Sequence, residues 1–199
     1  MITYRECGKG SVTLTIKRTD VVLLTAAVGQ GAPMGHIKLA SDVGAPVEVA
    51  FRYTDNHQFV PDWAFAVAAF EPVGETDHGA GATFACTLRV GPWHPTVECE
   101  ITEYRRNAVI EYTLRRRRPG KAAPADSPLA VVSLRFDPLG YGRSVITSEA
   151  EYFKPPGLLG RLCSRMLHPA VQSAVRRTES QLRREIEGFH GTDLVGRIA

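Results

Sequence analysis

The chain has 199 residues, of which 44% are hydrophobic and 23% charged, with a formal net charge of +3 at pH 7. This length and composition are typical of one globular domain, and they exclude a disulfide-stabilised miniprotein, a coiled coil and a disordered chain. The small net charge argues against nucleic acid as an obligate partner, and no apolar run reaches the ~18 residues that span a bilayer.

The four cysteines, Cys7, Cys86, Cys99 and Cys163, lie far apart and form no C-x-x-C pair. We therefore expect no metal site and no cofactor. A hairpin would bring Cys86 and Cys99 close together, and we interpret both as reduced thiols of the core.

The N-terminal residues need a separate interpretation. An apolar run at residues 21–28 is similar to that of a signal peptide, but Asp20 abuts it and no A-x-A cleavage site follows. We therefore expect a cytoplasmic protein in which residues 1–33 form an extension outside the fold. Residues 34–190 form the predicted domain, and residues 191–199 form a predicted tail.

From residue 36 onward, alternating apolar and polar residues separated by turn residues predict seven β-strands. The first is HIKLASDV, and the other six lie between residues 64 and 153. Pro46 before VEVAFRYT, and the segment HQFVPDW, predict two short helices after the first strand. Because several strands alternate cleanly, we expect an antiparallel sheet with one face buried and the other in water.

The last part of the chain has the apolar periodicity of an amphipathic helix. One straight helix there would be about 50 Å long, whereas a compact domain of this length has a radius of gyration of about 16 Å. Proline disfavours the helical conformation of the residue before it. Pro169 therefore predicts a break into helices at residues 158–167 and 169–188, with the second helix ended by Gly188 and Gly191.

The order of one strand, two short helices, six strands and a long helix predicts an α+β fold. Five features carry a resemblance to a known family: APVEVAFRYTDNHQFVPDW, the Gly79-x-Gly81 turn, the hairpins VECEITEYRRNAVIEYTL and LAVVSLRFDPLGYGRSVITSEAEY, and the closing SQLRREIE. Together they resemble the SRPBCC superfamily over residues 36–188, and within it the polyketide cyclase/dehydrase-like branch. The resemblance implies the START-like, helix-grip fold, in which a seven-stranded curved antiparallel sheet wraps around a long C-terminal helix.

The resemblance also implies a cavity between the sheet and the helix that holds an apolar small molecule or a lipid. With strand alternation, it predicts the lining residues Trp63, Phe65, Phe84, Leu88, Val97, Tyr112, Leu134, Phe136, Ser148, Tyr152, Leu162 and Met166. Alternation alone leaves open whether these residues surround a hollow cavity or form a packed core. Trp63 resembles the family's entrance tryptophan, and ordinary aromatic packing is its alternative.

Acid–base catalysis needs an ionisable group on the inward face and a neighbour that tunes its pKa. Alternation places Glu98, Glu100 and Glu111 on the face in water. The phase of the last strand stays open: one phase turns Ser148 inward, and the other turns Glu149 inward. Because no nucleophile and base form a recognisable arrangement, the sequence leaves open whether the protein is an enzyme.

Four consecutive arginines, Arg115, Arg116, Arg117 and Arg118, form the most concentrated charge in the chain. No interleaved aromatic residues accompany them. This favours a solvated hairpin loop, with a weak contact to an anionic surface as the alternative.

Three functions remain open. The favoured one is a carrier, sensor or sequestering protein for an apolar small molecule or lipid. The first alternative is an enzyme of the polyketide cyclase or dehydrase type. The second, also implied by the resemblance, is a regulatory protein of the toxin–antitoxin kind. Binding of a partner through the four arginines would weaken with salt, whereas binding of an apolar ligand would not.

Overall fold

The computed structural model describes residues 6–7, 11–12, 35–89, 91–116, 128–153 and 158–198, with side chains over 35–89, 91–116, 128–153 and 168–191. The chain divides into two units, Met1–Ala32 and Pro33–Ala199. In the first unit, strands β1 (Glu6–Cys7) and β2 (Ser11–Val12) pair antiparallel. The elements described below belong to the second unit.

Seven strands of the second unit form one antiparallel sheet. They are β3 (Gly35–Val43), β4 (Val67–Pro72), β5 (Thr83–Leu88), β6 (Thr96–Arg105), β7 (Val109–Arg116), β8 (Ala130–Gly140) and β9 (Arg143–Tyr152). Their order in the sheet is β3-β9-β8-β7-β6-β5-β4, so the first strand of the unit pairs with the last one. The predicted seven-stranded antiparallel sheet is confirmed.

Irregular pairing at three places bends the strands of this sheet. The register shifts between Val67 and Ala69, between Ile101 and Glu103, and between Pro138 and Gly140. A bulge bends its strand and increases the local twist, which lets a sheet curve around a helix.

Two short helices follow β3, as predicted. Helix α1 (Val47–Asp55) begins after Pro46, whose φ of −62° already suits a first helical turn. A single 3-10 turn (His57–Phe59) comes next, and the Asn56 side chain caps it by accepting a hydrogen bond from the Gln58 N–H at 3.0 Å. Helix α2 (Val60–Trp63) completes the connection to β4.

The C-terminal helix α3 runs without interruption from Leu158 to Ile198. The predicted break at Pro169 is therefore wrong, and so is the predicted end at Gly188 and Gly191. Residues 191–198, predicted as a tail, continue the helix. None of the described helices is long and apolar enough to cross a membrane.

The length of α3 explains why the helix does not have to break at Pro169 to fit the domain. A proline inside a helix costs about 3 kcal/mol, which the remaining bonds of a 41-residue helix can absorb. At 1.5 Å per residue α3 is about 60 Å long, whereas the 11 residues of β8 span about 37 Å. The helix is longer than the sheet that it packs against, so its whole length does not have to fit the domain.

The hydrophobic core lies between the inner face of the sheet and the helices. From α1, the Phe51 ring meets Phe136 edge-on, with 5.3 Å between ring centroids. From α3, Leu182 and Ile186 are fully buried in the same core. The arrangement confirms the predicted α+β, helix-grip architecture, with α3 packed against β3, α1 and α2.

Two hydrogen bonds hold α3 on the domain at the turns that pack on it. The Gly44 backbone N–H donates to Glu187 Oε1 at 3.0 Å. The Phe65 backbone N–H donates to Thr178 Oγ1, also at 3.0 Å. These two bonds fix the stretch of α3 from Thr178 to Glu187 on the domain.

Candidate ligand-binding site

A cavity of about 170 Å³ lies between the inner face of the sheet and helices α2 and α3. Its described lining is Val60, Trp63, Ala64, Val67, Phe70, Cys86, Cys99, Tyr112, Leu114, Val132, Leu134, Ser148, Glu149, Ala150, Ala174, Val175 and Thr178. An engineered apolar cavity of about 150 Å³ holds one benzene molecule. The cavity therefore has room for a compact ligand of about that size or slightly larger.

Four of the predicted lining residues, Trp63, Tyr112, Leu134 and Ser148, line this cavity. Tyr112 and Leu134 extend from the inner face of the sheet, where alternation placed them. Trp63 ends the short helix α2 and belongs to the helical layer.

Five other predicted residues lie outside the cavity lining. Phe84, Val97 and Phe136 are buried in the packed core, and Leu88 is partly buried against it. Phe84, for example, stacks on Phe70 with 4.4 Å between ring centroids. Alternation correctly placed these side chains on the inner face of the sheet. It did not show which part of that face borders the cavity.

Tyr152, the fifth of these, is anchored at the end of the sheet. Its hydroxyl lies 2.5 Å from His168 Nδ1 of α3. It also covers Gly35 on the neighbouring strand so closely that a Cβ atom there would collide with the tyrosine ring. The absence of a side chain at Gly35 is therefore required by this packing.

Phe65 lies on the surface. It is 37% exposed, and the Arg177 guanidinium lies 4.9 Å from the centre of its ring. The remaining two predicted residues, Leu162 and Met166, fall in α3 but outside the residues whose side chains the structure describes.

The outer groove is a second concavity, on the other side of α3, with a volume of about 500 Å³. Its described lining is Phe65, Pro169, Gln172, Ser173, Arg176, Arg177, Ser180, Gln181 and Arg184. Although the outer groove is larger than the cavity between the sheet and α3, arginine and amide side chains line most of it. A polar groove does not shelter an apolar molecule from water, so the smaller cavity is the better candidate site.

Sequence reasoning missed several lining residues. Cys86 and Cys99 lie on inward positions of β5 and β6. Alternation predicted both as thiols of the core but did not show that they border the cavity. The described helical lining comes from Ala174, Val175 and Thr178. They belong to the apolar stripe of the helix, but no local signal shows which turns of that stripe face the hollow.

Cys86 and Cys99, the two thiols of the cavity, are buried and form no disulfide with each other in the structure. Burial raises the pKa of the Cys86 thiol to about 11. Burial, followed by the nearby Cys86, raises the pKa of the Cys99 thiol still further. Since the thiolate is the reactive form, neither cysteine is activated as a nucleophile at pH 7.

Tyr112 and Ser148 place hydroxyl groups in the cavity wall. Their exposed fractions are 8% and 6%, and burial raises the pKa of Tyr112 well above its ordinary value. Among the described residues, the indole Nε1 of Trp63, also in the lining, is buried without a hydrogen-bond partner.

The structure settles the phase of β9. Ser144, Ile146, Ser148 and Ala150 are buried, so Glu149 belongs to the opposite face of the sheet. Glu149 is among the residues that border the cavity. Its carboxylate, however, forms an ion pair with Lys38 of β3, with 2.5 Å between Nζ and Oε1. That hydrogen bond from Lys38 is the main cause that holds the pKa of Glu149 below its usual value.

We expect Glu149→Gln to leave ligand binding unchanged and to lower the free energy of unfolding by less than about 1 kcal/mol, because solvent screens this half-exposed pair. The folded-state pKa is lowered, so the contribution is present above the ordinary glutamate pKa and disappears as the pH falls below it. Thermal unfolding at neutral and acidic pH measures the difference. Loss of ligand binding in this variant would contradict the outward placement.

A curved antiparallel sheet packed against a C-terminal helix, with an apolar cavity between them, defines the class of helix-grip proteins. The chain belongs to the family described as polyketide cyclase / dehydrase and lipid transport, whose sequence profile matches residues 34–187. This family and fold confirm the resemblance to the SRPBCC superfamily and its START-like members. No curated protein matches the chain by sequence.

Three solved structures show the same fold. TTHA0849 from Thermus thermophilus has 13% identity and a TM-score of 0.60, over 76% of this chain and 97% of that one. The Zhui aromatase/cyclase from a Streptomyces species has 17% identity and a TM-score of 0.61, over 77% and 93%. A START superfamily protein from Mycobacterium smegmatis has 12% identity and a TM-score of 0.53, over 79% and 97%. At these identities the likeness shows the fold alone.

Proposed function

We propose that the protein binds a small apolar molecule in the cavity between the sheet and α3, as a carrier, sensor or sequestering protein. The observation that carries this proposal is the partly open, mainly apolar pocket of about 170 Å³ between the sheet and the helices. Protein interiors are close-packed, and voids larger than a water molecule are few, so a hollow of this size favours a ligand. The volume lies below the 300–1,000 Å³ of drug-sized sites, which favours a compact molecule over a lipid with long chains.

An enzyme of the polyketide cyclase or dehydrase type is the second candidate. The family's description and the Zhui aromatase/cyclase structure favour it. Among the described lining residues, however, the two thiols and the Tyr112 phenol stay protonated at pH 7, and the Glu149 carboxylate is paired with Lys38 outside. A general acid or base needs a pKa near the operating pH, so this lining supports binding better than proton transfer.

We further propose that the protein acts in the cytoplasm, because free buried thiols are typical of reducing compartments. The contact of the arginine run with an anionic surface stays a prediction. Arg115 forms an ion pair with Glu100 across β6 and β7, and Arg116 is exposed. Arg117 and Arg118 lie outside the described residues.

Native mass spectrometry of freshly purified protein, with a thermal-shift series, tests the proposed function. We expect either a retained small molecule or a stabilisation that grows with the concentration of a compact aromatic compound. At a free concentration of 100 times the Kd, linkage predicts about 2.7 kcal/mol of added stability. We expect sterols to produce no such stabilisation, because they exceed the cavity. A protein that retains nothing and responds to no apolar compound would overturn the proposal.

A further inference from the structure

The outer groove lies on the side of α3 away from the cavity, and the proposed function makes no use of it. Its volume of about 500 Å³ is within the 300–1,000 Å³ that small-molecule sites occupy. Residues three and four positions apart share one face of a helix, so this lining follows α3 for about 22 Å. The described residues that α3 contributes are Pro169, Gln172, Ser173, Arg176, Arg177, Ser180, Gln181 and Arg184.

Three arginines of the groove, Arg176, Arg177 and Arg184, are exposed and lack an acidic partner. Within the described residues, no carboxylate forms an ion pair with any of them, and the described lining contains no Asp or Glu. Arg183, the neighbour of Arg184, pairs instead with Glu187, with 3.0 Å between Nε and Oε1. The groove therefore concentrates three positive charges that no described carboxylate neutralises at close range.

The aromatic residue of the groove orients one of these arginines. The Arg177 guanidinium lies 4.9 Å from the centre of the Phe65 ring. The Phe65 backbone N–H donates to Thr178 Oγ1 at 3.0 Å, which holds Phe65 against the helix. A side chain that is ordered before a ligand binds loses less conformational entropy on binding. Arg177 is thus a preorganised cation in the groove.

Gln181 supplies a second, independent observation. Its amide oxygen is buried and has no hydrogen-bond partner among the described residues, although Gln181 borders the groove. Such an atom needs an explanation, since buried polar groups nearly always have partners. The terminal torsion of glutamine is broad, so the amide can turn this oxygen toward a donor in the groove, such as a ligand hydroxyl.

The residue types of the lining restrict the ligand. A guanidinium group binds carboxylate or phosphate oxygens through paired N–H donors. Three such groups suit the nearly two negative charges of a phosphate ester better than the single charge of a carboxylate. The glutamine amides and serine hydroxyls can form hydrogen bonds to polar groups beside the anion. An apolar hydrocarbon would gain little from this lining.

We propose that the outer groove binds a phosphate ester of a hydroxyl-bearing molecule, either a nucleotide or a sugar phosphate. Arg176, Arg177 and Arg184 bind the phosphate group, and Gln181 accepts a hydrogen bond from a hydroxyl group. This site is separate from the cavity and does not depend on the proposed function.

Four probes test the proposal by isothermal titration calorimetry: AMP, ribose 5-phosphate, inorganic phosphate and adenosine. We expect the two esters to bind more tightly than inorganic phosphate, and adenosine, which has no phosphate, not to bind. An increase in NaCl from about 50 mM to about 300 mM should weaken both esters several-fold, because salt screens exposed charges. Tighter binding of AMP than of ribose 5-phosphate would support the proposal with a nucleotide as ligand. Equal or weaker binding of AMP would support it with a sugar phosphate.

Arg176→Gln and Arg184→Gln should each weaken AMP by about threefold to tenfold, because each variant loses one charged contact to the phosphate at an exposed site. Arg183→Gln is the matched control, since it removes the same charge from a residue outside the groove lining. It should keep the wild-type affinity for AMP. Ala174→Phe, which changes the lining of the cavity instead, should also leave AMP binding unchanged. Thermal unfolding checks that each variant is folded.

The proposal is overturned if neither ester binds or if adenosine binds as tightly as AMP. Equal losses of AMP affinity in the control variant and the two groove variants also overturn it. Binding to phosphatidylglycerol vesicles without binding of either ester would overturn it as well, and would show that the arginines contact a membrane surface. None of these results changes the test of the proposed function, which measures apolar compounds in the cavity.

Discussion

Ala174→Phe is expected to weaken the binding of a compact ligand by about 10- to 150-fold while the protein stays folded. Ala174 lies on α3 and lines the cavity, so a phenylalanine ring there would occupy the hollow. Burial of such a side chain is favourable by about 1.5–3 kcal/mol, and a ligand would have to displace it. Calorimetric titration with 1-tetralone, a compact neutral aromatic compound, measures the loss, and thermal unfolding shows whether the fold is kept.

Ser173→Phe is the matched control for this prediction. Ser173 is the preceding residue of α3, is exposed and lines the outer groove. Neighbouring residues of a helix are about 100° apart, so the new ring would not enter the cavity. Unchanged binding in this control is the expected result. If Ser173→Phe abolishes binding and Ala174→Phe does not, the ligand occupies the outer groove.

Leu182→Ala is expected to lower the free energy of unfolding by about 2–5 kcal/mol. Leu182 is 1% exposed and, with the fully buried Ile186, anchors α3 in the core. Removal of its side chain loses apolar burial and leaves a void where the helix meets the sheet. For a protein of this size, the corresponding decrease in Tm is roughly 4–20 °C by calorimetry.

Arg184→Ala, two residues further along α3, provides the comparison. Arg184 is exposed and lies on the outer side of the helix. Surface substitutions of this kind usually change stability by no more than about 0.5 kcal/mol. Equal losses of stability in the two variants would show that the inner face of α3 does not hold the helix on the sheet.

Strand positions were predictable wherever the alternation was clean. In β7, Ile110 and Tyr112 are apolar or aromatic while Glu111 is charged, so the inward face is evident from neighbouring residues. The pattern is local because successive side chains of a strand point to opposite faces. The fold class followed from the order of such segments.

The phase of β9 was not predictable, because both of its faces carry a mixture of polar and apolar residues. Ser144 and Ser148 point inward even though Val145 and Thr147 are available for that face. Pairing with β3 and β8 determines the phase, and Ser144 is tolerated inside because the distant Ala45 carbonyl oxygen accepts its hydrogen bond. Because such partners are distant in the sequence, the residues of β9 alone do not indicate which face is buried.

By itself, the sequence determined the α+β class, the seven strands, the two short helices and the presence of a C-terminal helix. These features depend on side-chain periodicity and turn residues, which act over a few residues. Only the tertiary structure decided that α3 continues through Pro169, that Glu149 faces outward, and that Trp63, Tyr112 and Ser148 share one cavity. A hollow is the space left between layers after they pack, so its position depends on the curvature of the sheet and the placement of the helix, and neither is a local property of the chain.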